Sequence, residues 1–197
     1  MTKRQEMGHA IVEFEGRFKD GKLAIYKLPA GDGGGAYEIA GINDRYHPSK
    51  AKQLKDLIES GQADKAKSEA ATYIVAYTDP ILKFFPSLED ALAHPHIEFL
   101  LRDSAFNRGN KGAATVLQLA LGLSPIDGII GEKTKTAFKE ALQNHNAFAR
   151  AITQARETYE RSSFPWKASR RDESSKFWKG LANRWDKAHA TALRLIA

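Results

Sequence analysis

The chain has 197 residues, 42% hydrophobic and 27% charged, a composition that predicts a soluble globular protein with one sizeable core or two small ones. It contains no cysteine, which excludes disulfides, thiolate zinc sites and cysteine nucleophiles. Its net charge of +6 comes entirely from residues 150–197, where eleven Lys/Arg stand against five acids, while residues 1–149 are neutral. The start, M-T-K-R-Q-E-M-G-H-A, lacks the long apolar run of a secretory signal peptide, so synthesis in the cytoplasm is expected.

Residues 3–18 carry the first helical pattern. At 100° per residue Glu15 falls about 40° from Ile11, inside the apolar arc with Phe14 and Phe18, whereas Glu13 falls about 200° away on the solvent face. Glu15 is therefore the unusual carboxylate. An apolar niche disfavours the charged form, which is how a general acid is kept protonated near neutral pH. Gly16, beside it, lets the helix end or another segment approach closely.

L-A-I-Y-K-L (23–28) alternates like a short strand ended by Pro29. A-G-D-G-G-G-A (30–36) is a loop and Y-E-I-A-G-I (37–42) a second strand, so a small β-hairpin is expected after the first helix. Helices follow at 49–60 and 62–77, then a proline-broken connector with a short helix near 87–93. The second half predicts helices at 96–107, 113–122, 132–142, 145–162 and 174–195, with Gly109 and Gly112 interrupting. S-P-I-D-G-I-I-G (124–131) is a loop in which Asp127 can bond its own following amides. The fold class is thus mostly α with a small β element, in two parts near 1–93 and 94–197.

Several patterns have ordinary explanations. The glycine run at 33–35 lacks the G-K-[ST] of a phosphate loop, and D-G-I-I-G lacks the further acids of a calcium loop. Among the histidines only His94 and His96 have ligand-like spacing, with a proline between them and no acid well placed, so no metal is expected. No other cofactor is implied. The basic tail also holds Trp166, Trp178 and Trp185. A tail helix with Trp178, Leu181, Trp185, Ala188 and Ala192 on one face is expected to dock on its own domain, and its basic side to contact anionic outer-membrane lipid. Nucleic acid is not expected as a partner, because no helix-turn-helix or RNA-binding motif accompanies the charge.

Taken together, Glu15-Gly16, Asp32-Gly33-Gly34-Gly35 and Gly41-Ile42 resemble the glycoside hydrolase family 108 lysozyme-like domain. The second half is similar to the helical peptidoglycan-binding domain that follows it in such proteins. The matching residues are Asp103-Ser104-Ala105 with Asn107 and Gly109, Ala114, Leu117-Gln118, Leu121-Gly122, Asp127-Gly128, Gly131, Thr134 and the F-W-K-G-L-A-N-R of 177–184. Arg17 stands where that family has a second glycine. The resemblance implies a lysozyme-like fold and hydrolysis of the β-1,4 bond between N-acetylmuramic acid and N-acetylglucosamine in peptidoglycan. Glu15 would be the acid and Asp32 the first candidate for a second carboxylate, with Glu38 and Asp44 as alternatives. Tyr37, Glu38, Asn43 and Tyr46 would line the sugar cleft, and Tyr26 is a further aromatic nearby. The implied setting is a monomer acting on the cell wall in the periplasm, released by a holin or a secretion apparatus. The competing reading is a wall-binding protein without catalysis.

Overall fold

The computed structural model describes residues 1–29, 35–163 and 176–196. The chain is mostly α-helical with a small β component, and it divides into two compact units, Met1–Tyr77 and Thr78–Ala197.

In the first unit α1 (Lys3–Glu15) starts at a capping box: Thr2 Oγ1 accepts from the Gln5 amide (3.2 Å) and Gln5 Oε1 from the Thr2 amide (2.8 Å). Met7, Gly8, Ile11 and Val12 form its buried face. The helix stops at Glu15, three residues before the sequence pattern suggests, because Gly16 turns extended and gives its N–H to the Val12 carbonyl at 2.7 Å. Phe18 therefore lies on a strand, not on the helical arc with Ile11. That strand, β1 (Arg17–Lys19), pairs antiparallel with β2 (Lys22–Ala24) across Asp20-Gly21, both at positive φ. The Asp-Gly dipeptide is a strong hairpin signal that a helix reading through residue 18 hides.

A second sheet has the order β3 (Tyr26–Lys27), β4 (Tyr37–Ile39), β5 (Ile42–Asn43), all antiparallel. The turn Ala40-Gly41 again puts both residues at positive φ. Thus the single hairpin expected from sequence is a two-stranded and a three-stranded sheet joined at Ile25. Helices α2 (Pro48–Glu59) and α3 (Ala63–Thr78) follow. The buried face of α3 is mostly alanine (63, 66, 70 and 71), and Gly8 of α1 lies against Ala71, so small residues set the approach of these helices.

The second unit opens with a 3₁₀ segment, Asp79–Phe84, and α4 (Leu88–Ala93). These residues, expected from sequence to close the first domain, belong by contact to the second. The reason is Arg102, which is fully buried and donates to Thr78 Oγ1 (2.9 Å), Asp79 Oδ1 (2.7 Å) and Glu98 Oε1 (2.7 Å). Pro80 and Pro95 do not mark a linker. They occupy the first turns of the 3₁₀ segment and of α5, where a missing N–H costs little.

Helix α5 (Pro95–Ala120) is the centre of this unit and is broken at Gly109, where φ is +69°. After α6 (Glu132–Ala141), helices α7 (His145–Ser163) and α8 (Lys176–Ile196) pack on α5 and on each other. Phe138 bridges Phe85 and Phe148, with ring centroids 4.8 and 5.5 Å apart. On α8, Trp178, Trp185, Ala188, Ala192 and Leu195 are buried. The apolar face of the tail helix is therefore spent on its own domain, leaving Lys179, Lys187 and Arg194 on the exposed side.

Candidate active site

Glu15 is the last residue of α1 and is half-buried. The chain next to it is tightly packed. A Cβ on Gly16 would fall 2.7 Å from the Val12 carbonyl oxygen, 2.8 Å from the Phe18 ring and 3.0 Å from Leu23 Cδ1. The absent side chain lets the β1–β2 hairpin close against the helix end. Gly16→Ala is expected to cost about 1–3 kcal/mol, because a backbone oxygen must yield. Urea unfolding checks this, and a midpoint equal to wild type would show that the contact is not tight. Glu13, by contrast, is exposed and pairs with Lys67, whose ammonium also lies 5.5 Å from the Phe18 ring centroid.

The three-stranded sheet brings several expected residues together. Tyr26 is in register with Glu38, and Glu38 with Asn43. Directly opposed residues share a sheet face, so Tyr26, Glu38 and Asn43 form one row. Tyr37 lies on the other face with Ile39, which is fully buried beside Ile42. Tyr37 is thus turned towards the core side, which separates it from the row it was expected to join. Asn43 Oδ1 accepts from the Tyr46 amide at 2.9 Å, starting the turn that leaves Tyr46 65% exposed. The Arg17 guanidinium lies 5.1 Å from the Tyr26 ring centroid, and Arg45 5.6 Å from that of Tyr46.

The candidates for a second carboxylate differ in their surroundings. Asp44 Oδ1 accepts from the amides of Ala36 (2.8 Å) and Tyr37 (3.2 Å), so its carboxylate secures the exit of the glycine loop. Glu38 is half-buried in the row just described. Asp32 lies outside the described residues, with the rest of 30–34.

Beyond Tyr46 a groove of about 400 Å³ is lined by Tyr46, His47, Pro48, Lys50, Gln53 and Tyr73. His47 Nδ1 and the Tyr73 hydroxyl are 2.9 Å apart, and His47 packs edge-on against both Tyr73 and Tyr77. Burial holds the His47 imidazole below its ordinary pKa and raises that of the Tyr73 phenol, with Tyr77 adding to the latter. Both side chains are uncharged near pH 7. Lys50 sits 5.5 Å from the Tyr73 ring centroid and pairs with Glu69. Of these groove residues the sequence pointed to Tyr46, and not to the part played by His47, Lys50 and Tyr73. The available signal was Tyr73 and Tyr77, two aromatics one turn apart on a helix whose other face is alanine.

In the second unit the motif residues are structural. Asp103, fully buried, accepts from Arg156 Nη1 and Arg184 Nη2, both at 2.6 Å. Burial alone would raise its pKa, but the guanidinium groups of Arg184 and Arg156 outweigh that and lower it. Ser104 donates to the Leu100 carbonyl, and Asn107 to that of Asp103. The loop after α5 is fastened by Gln118, whose Nε2 donates to Asp127 Oδ1 (2.8 Å) and the Ile129 carbonyl (3.0 Å), while its Oε1 accepts from the Gly128 amide (2.8 Å). Asp127 also accepts from the Ile129 amide at 2.8 Å, the turn expected from its sequence.

His94 and His96 are joined by His145, with His145 Nδ1 3.1 Å from His96 Nε2. Among the described residues no group of three His, Asp or Glu is arranged to hold a metal ion. His96 is 1% exposed, and its Nδ1 has no partner among the described residues. Burial, then repulsion from His145 and His94, lowers its pKa from 6.5 to about 4. The unfolded chain therefore takes up a proton near pH 6.5 that the folded chain refuses until about pH 4. The stability is complete above the first value and lost on descending to the second, by up to about 3 kcal/mol. Urea unfolding at pH 7.5 and pH 4.5 checks this. His96→Phe should remove most of the pH difference, and an unchanged difference would assign it to other groups.

A comparison with family models, curated proteins and solved structures returned no match to this chain.

Proposed function

We propose that the protein is a peptidoglycan muramidase, with Glu15 as the acid that protonates the bridging oxygen of the glycosidic bond. The observation that carries the reading is the placement of Glu15: a half-buried carboxylate at a helix end, in the same unit as a sheet row of Tyr26, Glu38 and Asn43 and a tyrosine-lined groove. Glycoside cleavage needs one carboxyl group to donate a proton and commonly a second to act as base or nucleophile. Glu38 serves as that second group within the described residues, and Asp32 remains the candidate from the glycine loop. Tyr46, with most of its ring open to solvent, supplies a platform for a sugar face.

The resemblance to glycoside hydrolase family 108 supports the same bond, through residues and not through any relative found by comparison. A monomer acting in the periplasm, reached through a holin or a secretion apparatus, goes with this reading. No described helix is long and apolar enough to cross a membrane. The buried Trp178 and Trp185 leave the basic side of α8 as the surface that would meet anionic lipid.

The test is digestion of purified sacculi. Mass spectrometry of the products should find reducing muramic-acid ends, and Glu15→Gln should not produce them. Anhydro ends or peptide-cut fragments would overturn the assignment. If wild type and Glu15→Gln bind sacculi equally and neither cuts, the protein is a wall-binding module.

A further inference from the structure

The second unit contains a groove of about 570 Å³ that the proposed chemistry does not use. Its walls come from the 3₁₀ segment, the second half of α5, the 127–130 loop and the start of α6. Phe84 and Ala114, both buried, supply an apolar base, and Ile129 projects from the loop 67% exposed. Lys83, Lys111 and Lys135 line it. The lining contains one carboxylate, Asp127, and that group is already engaged by Gln118 and the Ile129 amide.

An exposed isoleucine on a loop is ordinary. One held rigidly is less so. Three hydrogen bonds of the buried Gln118 side chain hold the Asp127 carboxylate, the Gly128 amide and the Ile129 carbonyl. Lys111 packs over Gly128, so the loop and its lysine are positioned together. The arrangement costs little further ordering on binding, which is what a preformed site for a small ligand requires.

We propose that this groove binds a short acidic peptide, its carboxylates meeting Lys83, Lys111 and Lys135 and its small apolar side chains resting on Phe84 and Ile129. Charge complementarity selects the occupant: three lysines, of which Lys135 keeps a loose contact with the exposed Glu132 at 3.9 Å, against one committed acid in the lining favour an anion, while the apolar base favours side chains over a bare phosphate chain. The inference deepens the muramidase reading, since peptide arms of this chemistry accompany the glycan proposed as substrate. It lies in the other unit and can fail separately.

The probe is a fluorescein-labelled Ala-Glu-Ala-Ala peptide with free carboxylates, measured by anisotropy on the full chain. Its counterpart carries Gln and a C-terminal amide. The free peptide should bind, and the amidated one should bind about tenfold more weakly. Lys83→Glu with Lys135→Glu should lose at least as much, and Ile129→Asp should lose binding without altering the thermal midpoint, because the Ile129 side chain is largely exposed. Glu15→Gln should bind as wild type does, so a failed glycosidase assignment leaves this result standing. Equal binding of the two peptides, indifference to the variants, or tighter binding of oligothymidylate through the same lysines would overturn the proposal.

Discussion

Glu15→Gln is expected to lower the rate of wall clearing by about 10²–10⁴-fold, the range attributable to a positioned general acid. Glutamine keeps the length and hydrogen-bonding capacity of the side chain but has no proton of suitable acidity to give. Stability should change by no more than about 0.5 kcal/mol, since the residue is half-buried at a helix end and is not part of the core. Turbidity loss of permeabilised cells, read beside urea unfolding, separates the two effects. Equal clearing by both proteins at equal stability removes Glu15 from the chemistry. The companion substitution Glu38→Gln then asks whether the sheet row supplies the second carboxylate. Loss of activity comparable to that of Glu15→Gln answers yes.

The largest effect on folding should come from Asp103→Ala. It removes the buried carboxylate to which both Arg156 and Arg184 donate, and leaves their two positive charges close together. Breaking a buried ion pair by removing one partner costs about 3–5 kcal/mol, because the surviving charge has lost both water and its mate. A loss of that size is a large share of the stability of a domain. Helix α8 is the element expected to loosen first, since Arg184 is one of its ties to α5. Proteolysis should then cut between residues 163 and 196 well before the rest of the unit. A variant with wild-type urea midpoint and wild-type resistance would show that the apolar face of α8 suffices alone. Removing the whole charge set, Asp103→Leu with Arg156→Met and Arg184→Met, should recover much of the loss.

The helical scaffold was legible because its signals are local. The expected helices at 49–60, 62–77, 132–142 and 145–162 match α2, α3, α6 and α7 to within a residue or so at each end. The errors arose where tertiary closeness overrides periodicity. Phe18 continues the 3.6-residue spacing of Ile11 and Phe14, yet Gly16 admits Leu23 and Val12 so closely that the chain leaves the helix. The prolines near 80 and 95 suggested a boundary, but a buried arginine twenty residues on ties that segment to the second unit.

The candidate site was legible in part for the same reason. Glu15 could be singled out from spacing along one helix. The pairing of Glu38 with Tyr26 and Asn43 depends on strand register, which three strands of only two or three residues scarcely encode. Part of the tail's positive charge is internal. Arg156 and Arg184 are consumed internally by Asp103, and Arg161 pairs with Glu157, so fewer cations face outward than a count along the sequence suggests.

The Asp103–Arg184 contact spans 81 positions of chain. A ribosome delivers the aspartate first, Arg156 some fifty residues later and Arg184, which completes the set, later again. A stop codon ahead of residue 184 would leave Asp103 with Arg156 alone and the second unit without this tie to α8. Truncations should be placed with this in mind, because a distant helix completes the ion set around the centre of α5.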